Sequence, residues 1–184
     1  MLNRFLANSW KLIRFLIALA FIAALLMLMN RLPSLVQKHG LKKYSSFDLA
    51  KKELNLKNTR LPAYIPEHLR FAWPPSEVYA QDAPFEASIM HFSFVAKKEI
   101  GLVVRQVDAK APYTFDPVMR IKRTKEPVSI FVRDRKAVLF SALCDQDIPC
   151  NQIEWPEGNM NITLTGKCPA QDLIRIAASM LPAD

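Results

Sequence analysis

Ile153-Glu154-Trp155-Pro156-Glu157-Gly158-Asn159-Met160-Asn161-Ile162-Thr163-Leu164-Thr165 reads as two short strands around a turn. Apolar, aromatic and β-branched residues stand on either side of Pro156-Glu157-Gly158-Asn159, a quartet with the chemistry that tight turns demand. Two more hairpins precede this one. Residues 128–132 and 137–143 flank the charged tip Arg133-Asp134-Arg135-Lys136, and residues 89–95 and 101–107 flank Ala96-Lys97-Lys98-Glu99-Ile100. After the third hairpin, Pro169 opens a helix in which Leu173, Ile176, Ala177, Met180 and Leu181 recur at helical spacing on one face. Three consecutive hairpins and a terminal amphipathic helix predict an α+β domain. Its expected form is an antiparallel sheet of about five to six strands with the C-terminal helix packed on one face.

Upstream of the hairpins the chain is punctuated by proline. Leu61-Pro62-Ala63-Tyr64-Ile65-Pro66-Glu67 and Trp73-Pro74-Pro75 predict an irregular extended strap, because each proline restricts both itself and its predecessor. Before it, Ser46 caps a short helical pattern of Phe47, Leu49, Ala50, Leu54 and Leu56. Gly40 separates that helix from what precedes it.

The N-terminal segment is of another kind. Residues 15–29 read FLIALAFIAALLMLM, without charge or strong polarity. Adding Leu12, Ile13 and Arg14 extends the run to about 27 Å as a helix, close to a hydrocarbon core. The expectation is a single transmembrane helix over residues 12–30, acting as an uncleaved signal anchor. A cleaved signal peptide would end the run in small residues, whereas Leu28-Met29-Asn30-Arg31 follows here. The domain plan is therefore a cytoplasmic tail over 1–11, the anchor over 12–30, a basic helical connector over 31–60, and an extracytoplasmic α+β domain over 61–184.

The net charge of +8 suggests nucleic acid until it is located. Residues 1–31 carry +4 and residues 32–60 carry +5, while residues 61–184 carry −1. Basic residues beside an apolar segment gain roughly 1 kcal/mol each at an anionic lipid surface, which makes Arg14, Arg31, Lys38, Lys42 and Lys43 the expected membrane-surface contacts. A nucleic-acid binder would concentrate its bases on the folded face, so no nucleic-acid partner is expected. Counting bases does not set the orientation, because both flanks are basic. The short tail and the cysteines favour a C-terminal domain outside the cytoplasm, in the periplasm of a cell with an inner membrane.

Of the three cysteines, Cys144 and Cys150 bracket Asp145-Gln146-Asp147-Ile148-Pro149. A disulfide across this loop would need an oxidising compartment. Two unpaired buried thiols, or metal or redox work, are the alternatives, though metal spacings and C-x-x-C are missing. Cys168, just before the terminal helix, is a free or alternatively paired thiol. No catalytic motif occurs: there is no G-x-S-x-G, H-E-x-x-H, G-x-G-x-x-G or Walker pattern. His39, His68 and His91 have no partners at ligand spacing, and Glu154 and Glu157 bracket a turn. No catalytic residue, metal or cofactor is predicted. Tyr64, Phe71, Trp73, Phe92 and Phe94 are the residues that could line a groove for a lipid or peptide.

Three phrases carry a resemblance: Phe47-Asp48-Leu49-Ala50 with the strap 61–67, Glu154-Trp155-Pro156-Glu157-Gly158 before Asn161-Ile162-Thr163-Leu164, and the closing residues 172–180. Over roughly residues 45–181 the chain resembles a family of small extracytoplasmic domains of unknown function. These are tethered to single-pass helices and in some proteins to anti-sigma factors. The resemblance implies a non-enzymatic accessory, sensor or assembly subunit that works through a protein partner. It does not carry the anti-sigma role, because about eleven residues cannot fold into a sigma-binding domain. The alternative is a carrier or sensor of an apolar ligand in a half-barrel-like domain.

Overall fold

The computed structural model describes residues 14, 17–27, 40–112 and 119–180. The chain divides into two compact units, Met1–His39 and Gly40–Asp184. In the first, residues 17–27 are helical with exposed side chains such as Phe21 and Met27. Among the described residues no helix is long and apolar enough to cross a membrane. This corrects the transmembrane helix expected over residues 12–30. Its fifteen uncharged residues, 15–29, are fewer than the roughly twenty a span needs, and a membrane's thickness is reached only by including Arg14. Residues 12, 13, 15, 16 and 28–30 of that segment, the tail over 1–11, and Arg31 and Lys38 lie outside the described residues.

The second unit is built on one sheet of nine strands rather than five to six, antiparallel at every pairing. In chain order the strands are β1 (Lys42–Tyr44), β2 (Glu77–Gln81), β3 (Ala87–Ser93), β4 (Ile100–Asp108), β5 (Lys122–Arg123), β6 (Val128–Val132), β7 (Arg135–Cys144), β8 (Ile148–Glu157) and β9 (Met160–Gly166). Their spatial order is β1-β2-β3-β4-β9-β8-β7, and the far side of β7 is shared by β6 and β5. The helices are α1 (Phe47–Leu54) and α2 (Ala170–Ser179).

The register aligns one apolar residue from each successive strand. Tyr44, Val78, Met90, Val104, Leu164, Ile153, Leu139 and Val128 stand in a single row across eight strands. Strand period places their chain neighbours on the opposite face, where Tyr79, Ile89, Arg105, Thr163, Glu154 and Val138 form the adjacent row. The first face carries the main core and is covered by α1, α2 and the proline strap. From α2 come Leu173, Ile176 and Ala177, from α1 Phe47 and Ala50, and from the strap Leu61, Ile65 and Leu69.

Residues 42–56 therefore belong to the domain, not to a connector ahead of residue 61. β1 was hidden because three residues, two of them lysines, show no period, yet Tyr44 is 5% exposed and joins the core. The expected helix is present as α1. Ser46 Oγ accepts the Leu49 N–H at 3.2 Å, and Asn55, left-handed at φ 52°, ends the helix by returning its N–H to a carbonyl. β2 was masked by Pro74-Pro75 immediately before it. β5 has two residues and no apolar side chain.

The strap is held at three points. Gln106, fully buried on β4, accepts the Arg60 N–H at 2.9 Å and donates to the Arg60 carbonyl at 2.6 Å, so its amide substitutes for a strand partner. Ser179 Oγ, at the end of α2, accepts the Tyr64 N–H at 3.2 Å. At the start of α2, Asp172 Oδ2 lies 2.9 Å from His68 Nε2.

Cys144 and Cys150 form a disulfide with Cα atoms 5.9 Å apart, closing the β7–β8 connection. Both are buried with Met119 and Ala142 on the second face of the sheet. Replacing both with serine is expected to cost about 2 kcal/mol, the chain-entropy value for so short a loop, read as a lower urea midpoint at unchanged slope. A midpoint equal to the parent's would mean that the loop is already fixed without the bond. Cys168 is free and buried. Burial, with Asp172 adding to it, pushes its thiol up to about 12, so it is no reactive nucleophile. Counting thiols with an aromatic disulfide reagent should give none promptly in the native protein, one after unfolding and three after reduction. Two or three thiols without reduction would refute the bond.

Candidate functional site

The site of most interest lies where the chain from 70 to 76 runs beside the end of β3. Val95 N–H donates to the Arg70 carbonyl at 2.8 Å, Ala72 N–H to Ser93 at 2.7 Å, and Ser76 N–H to His91 at 2.7 Å. Trp73-Pro74-Pro75 bulges out between the last two bonds, since neither proline can donate to a ladder. A groove of about 790 Å³ results, open to solvent and bounded by Trp73, Ser76, Glu77, Phe94, Val95 and Lys98. Trp73 is 55% and Val95 72% exposed. The indole lies nearly parallel to Phe92, with ring centroids 5.9 Å apart, so a fully buried ring forms the floor beneath an exposed one. Phe71 and Phe94 make a second aromatic pair at 5.1 Å. Gly101 is the residue beneath them. A Cβ there would meet a Phe71 ring carbon at 2.3 Å, so the close approach depends on hydrogen at this position.

One end of the groove carries a charge network. Glu77 on β2 receives Lys43 Nζ from β1 at 2.5 Å and the Tyr79 hydroxyl at 3.2 Å, and its Oε2 lies 3.1 Å from His91 Nδ1 on β3. The Lys43 bond first, then the His91 bond, lower the Glu77 carboxyl to about 2. His91 is 1% exposed, and burial is the main cause that depresses its pKa. A carboxylate can only accept, so neutral His91 holds its proton on Nδ1. The bare Nε2 has no hydrogen-bond partner among the described residues. Protonation would place an unpartnered N–H in the interior.

The unfolded chain takes up a proton below about 6.5, the ordinary histidine value, whereas the folded chain resists until a lower pH. Stability contributed by neutral His91 is present above that value and is lost as pH falls. Glu77 adds a second loss below its ordinary 4.5, as pH approaches its folded value of about 2. Urea midpoints at pH 7 and pH 5 should therefore differ in the parent and differ less in His91→Asn, which keeps a donor near Nδ1. Equal differences in the two proteins would assign the acid sensitivity elsewhere.

The residues expected to line a groove divide. Trp73 and Phe94 bound it. Phe71 and Phe92 are buried in the main core, and Tyr64 sits on the strap beside the end of α2. Lys42 and Lys43, expected at a membrane surface, are paired within β1's surroundings, Lys42 with Glu53 and Lys43 with Glu77, each at 2.5 Å. Arg14 is exposed in the first unit. Glu154 pairs with Arg123 at 2.8 Å and Glu157 with Arg135 at 3.1 Å. His39 lies outside the described residues. The Glu77–His91 pair was missed because fourteen residues separate its members, and only the β2–β3 register brings them opposite each other. Among the described residues no group of three His, Cys, Asp or Glu side chains could hold a metal ion. No protein-family model, no curated protein and no solved structure matches the chain.

Proposed function

We propose that the chain is a non-catalytic extracytoplasmic binding module, an accessory, sensor or assembly subunit that engages a protein partner at the Trp73–Val95 groove. The observation that carries this reading is an exposed aromatic ring fixed over a buried one, rimmed by Ser76, Glu77 and Lys98. Binding energy concentrates at such rigid aromatic anchors with polar surroundings. The Cys144–Cys150 disulfide supports an oxidising compartment. An accessory role of this kind is also what the resemblance to small extracytoplasmic domains implies. The carrier alternative is less well supported. It needs the aromatics around an enclosed space, whereas Phe71 and Phe92 help to fill the core and the groove is open.

The test is photo-crosslinking in cells from a reactive amino acid at position 73, with position 49 on exposed α1 as control. A discrete adduct to one protein from position 73 alone supports the module. Equal smears from both positions would sink it, and crosslinks only to small apolar molecules would favour the carrier.

A further inference from the structure

The domain's near-neutral charge conceals a division. Residues 119–136 carry seven bases against Glu126 and Asp134, a net +5, whereas the rest of 61–184 carries seven bases and thirteen acids. The fold places this basic stretch at one edge of the sheet, where β5 and β6 run along β7. β6 has β7 as its single strand neighbour among the described residues, so alternate N–H and C=O groups along it point away from the sheet. Lysine on an edge strand ordinarily keeps other strands off. Here two large apolar side chains accompany the lysines: Val128 is 55% and Phe131 65% exposed, and Phe131 stands opposite Lys136. Arg123 is committed to Glu154, and Arg135 to Asp134 and Glu157. Lys122, Lys125 and Lys136 make none of the ion pairs among the described residues.

We propose that the β5–β6 edge is a docking strand for an extended acidic segment of a partner protein, which would pair with the β6 backbone and set carboxylates against Lys122, Lys125 and Lys136. Main-chain bonds supply the affinity in such strand addition, and alternate side chains supply the choice of partner. Val128 and Phe131 lie on opposite faces of β6, and an added strand also presents side chains to both faces, so mixed Glu or Asp with small apolar residues can meet the lysines and both apolar side chains. A second copy does not fit. Two +5 edges would face each other in an isologous pairing. This surface is distinct from the Trp73 groove, which lies in the β2–β3 half of the sheet.

The experiment uses the full chain and a fluorescent eight-residue peptide, Glu-Glu-Val-Val repeated twice so that each face carries both residue types, followed by anisotropy. Three further probes are the same peptide N-methylated at alternate residues, phosphatidylglycerol vesicles and a DNA duplex. Binding of the unmethylated peptide is expected, weakening on the order of tenfold in Lys125→Glu/Lys136→Glu and falling with salt. The methylated peptide should lose binding, because it keeps its charges but cannot extend a sheet. Deuterium exchange should slow at β6 amides when the unmethylated peptide is bound. Equal binding of the two peptides, or vesicles or duplex binding this edge without protection of β6, would overturn the proposal. So would failure of the unmethylated peptide to bind. Trp73→Ala should leave peptide binding unchanged, so failure at the groove and failure at this edge are separable.

Discussion

Phe92→Ala is expected to destabilise the domain by about 3–5 kcal/mol, the usual cost of removing a buried ring from a core that cannot close around the gap. Phe92 is fully buried on β3, within the cluster that joins the sheet to α1, α2 and the strap. Its loss also removes the floor on which Trp73 rests at 5.9 Å. Two readouts should therefore move together: the urea midpoint falls sharply, and the Trp73 fluorescence, isolated by replacing Trp10 and Trp155 with Phe, shifts toward that of a free indole. Phe92→Leu keeps most of the volume and should restore much of the stability but not the stacked emission. A midpoint drop below about 1 kcal/mol equivalent would show that the neighbouring side chains collapse into the space.

Gln106→Leu should cost about 2–4 kcal/mol, although leucine is more apolar and nearly as large. The cost comes from the partner. Removing the amide leaves the Arg60 N–H and C=O without their bonds at 2.9 and 2.6 Å, beside a fully buried position, and each unmade buried bond carries a penalty of about 1–3 kcal/mol. Gln106→Glu retains the acceptor but not the donor, and near neutral pH it also buries a charge, so it should be no better than leucine. Hydrogen exchange gives a more specific readout than the midpoint. In Gln106→Leu the Arg60 amide should lose protection while β8 amides keep theirs at low denaturant. Unchanged protection at Arg60 would mean that the ties from Ser179 and Asp172, with the packing of Leu61, Ile65 and Leu69, hold the strap without Gln106.

How far the fold could be read in advance depends on the length of each element and the number of its side chains that share a face. The long strands β3, β4, β7 and β9 announced themselves because an alternating or β-branched run of seven or more residues has few other uses. α2 did so through five apolar residues at helical spacing. β1, β2 and β5 have three, five and two residues. Each owes its conformation to a neighbour already in place: β1 exists because Tyr44 meets Val78, and β5 because β7 is longer than β6 can cover. The N-terminal run misled for a related reason. Apolar composition measures transfer free energy, whereas a membrane span is also a question of helical length.

The chain's own order of residues was enough to determine the hairpins, the C-terminal helix and the cap at Ser46, because each depends on near neighbours in the chain, and the near-neutrality of residues 61–184, because that is composition alone. Proximity in space decided the rest. His91 faces Glu77 and Lys43, Trp73 lies over Phe92, Gln106 meets the Arg60 backbone, and the bases of residues 119–136 collect on one edge. These juxtapositions come from strand register and from the strap's path across the sheet. Register is a collective property of every row packing at once, which no local stretch of sequence contains.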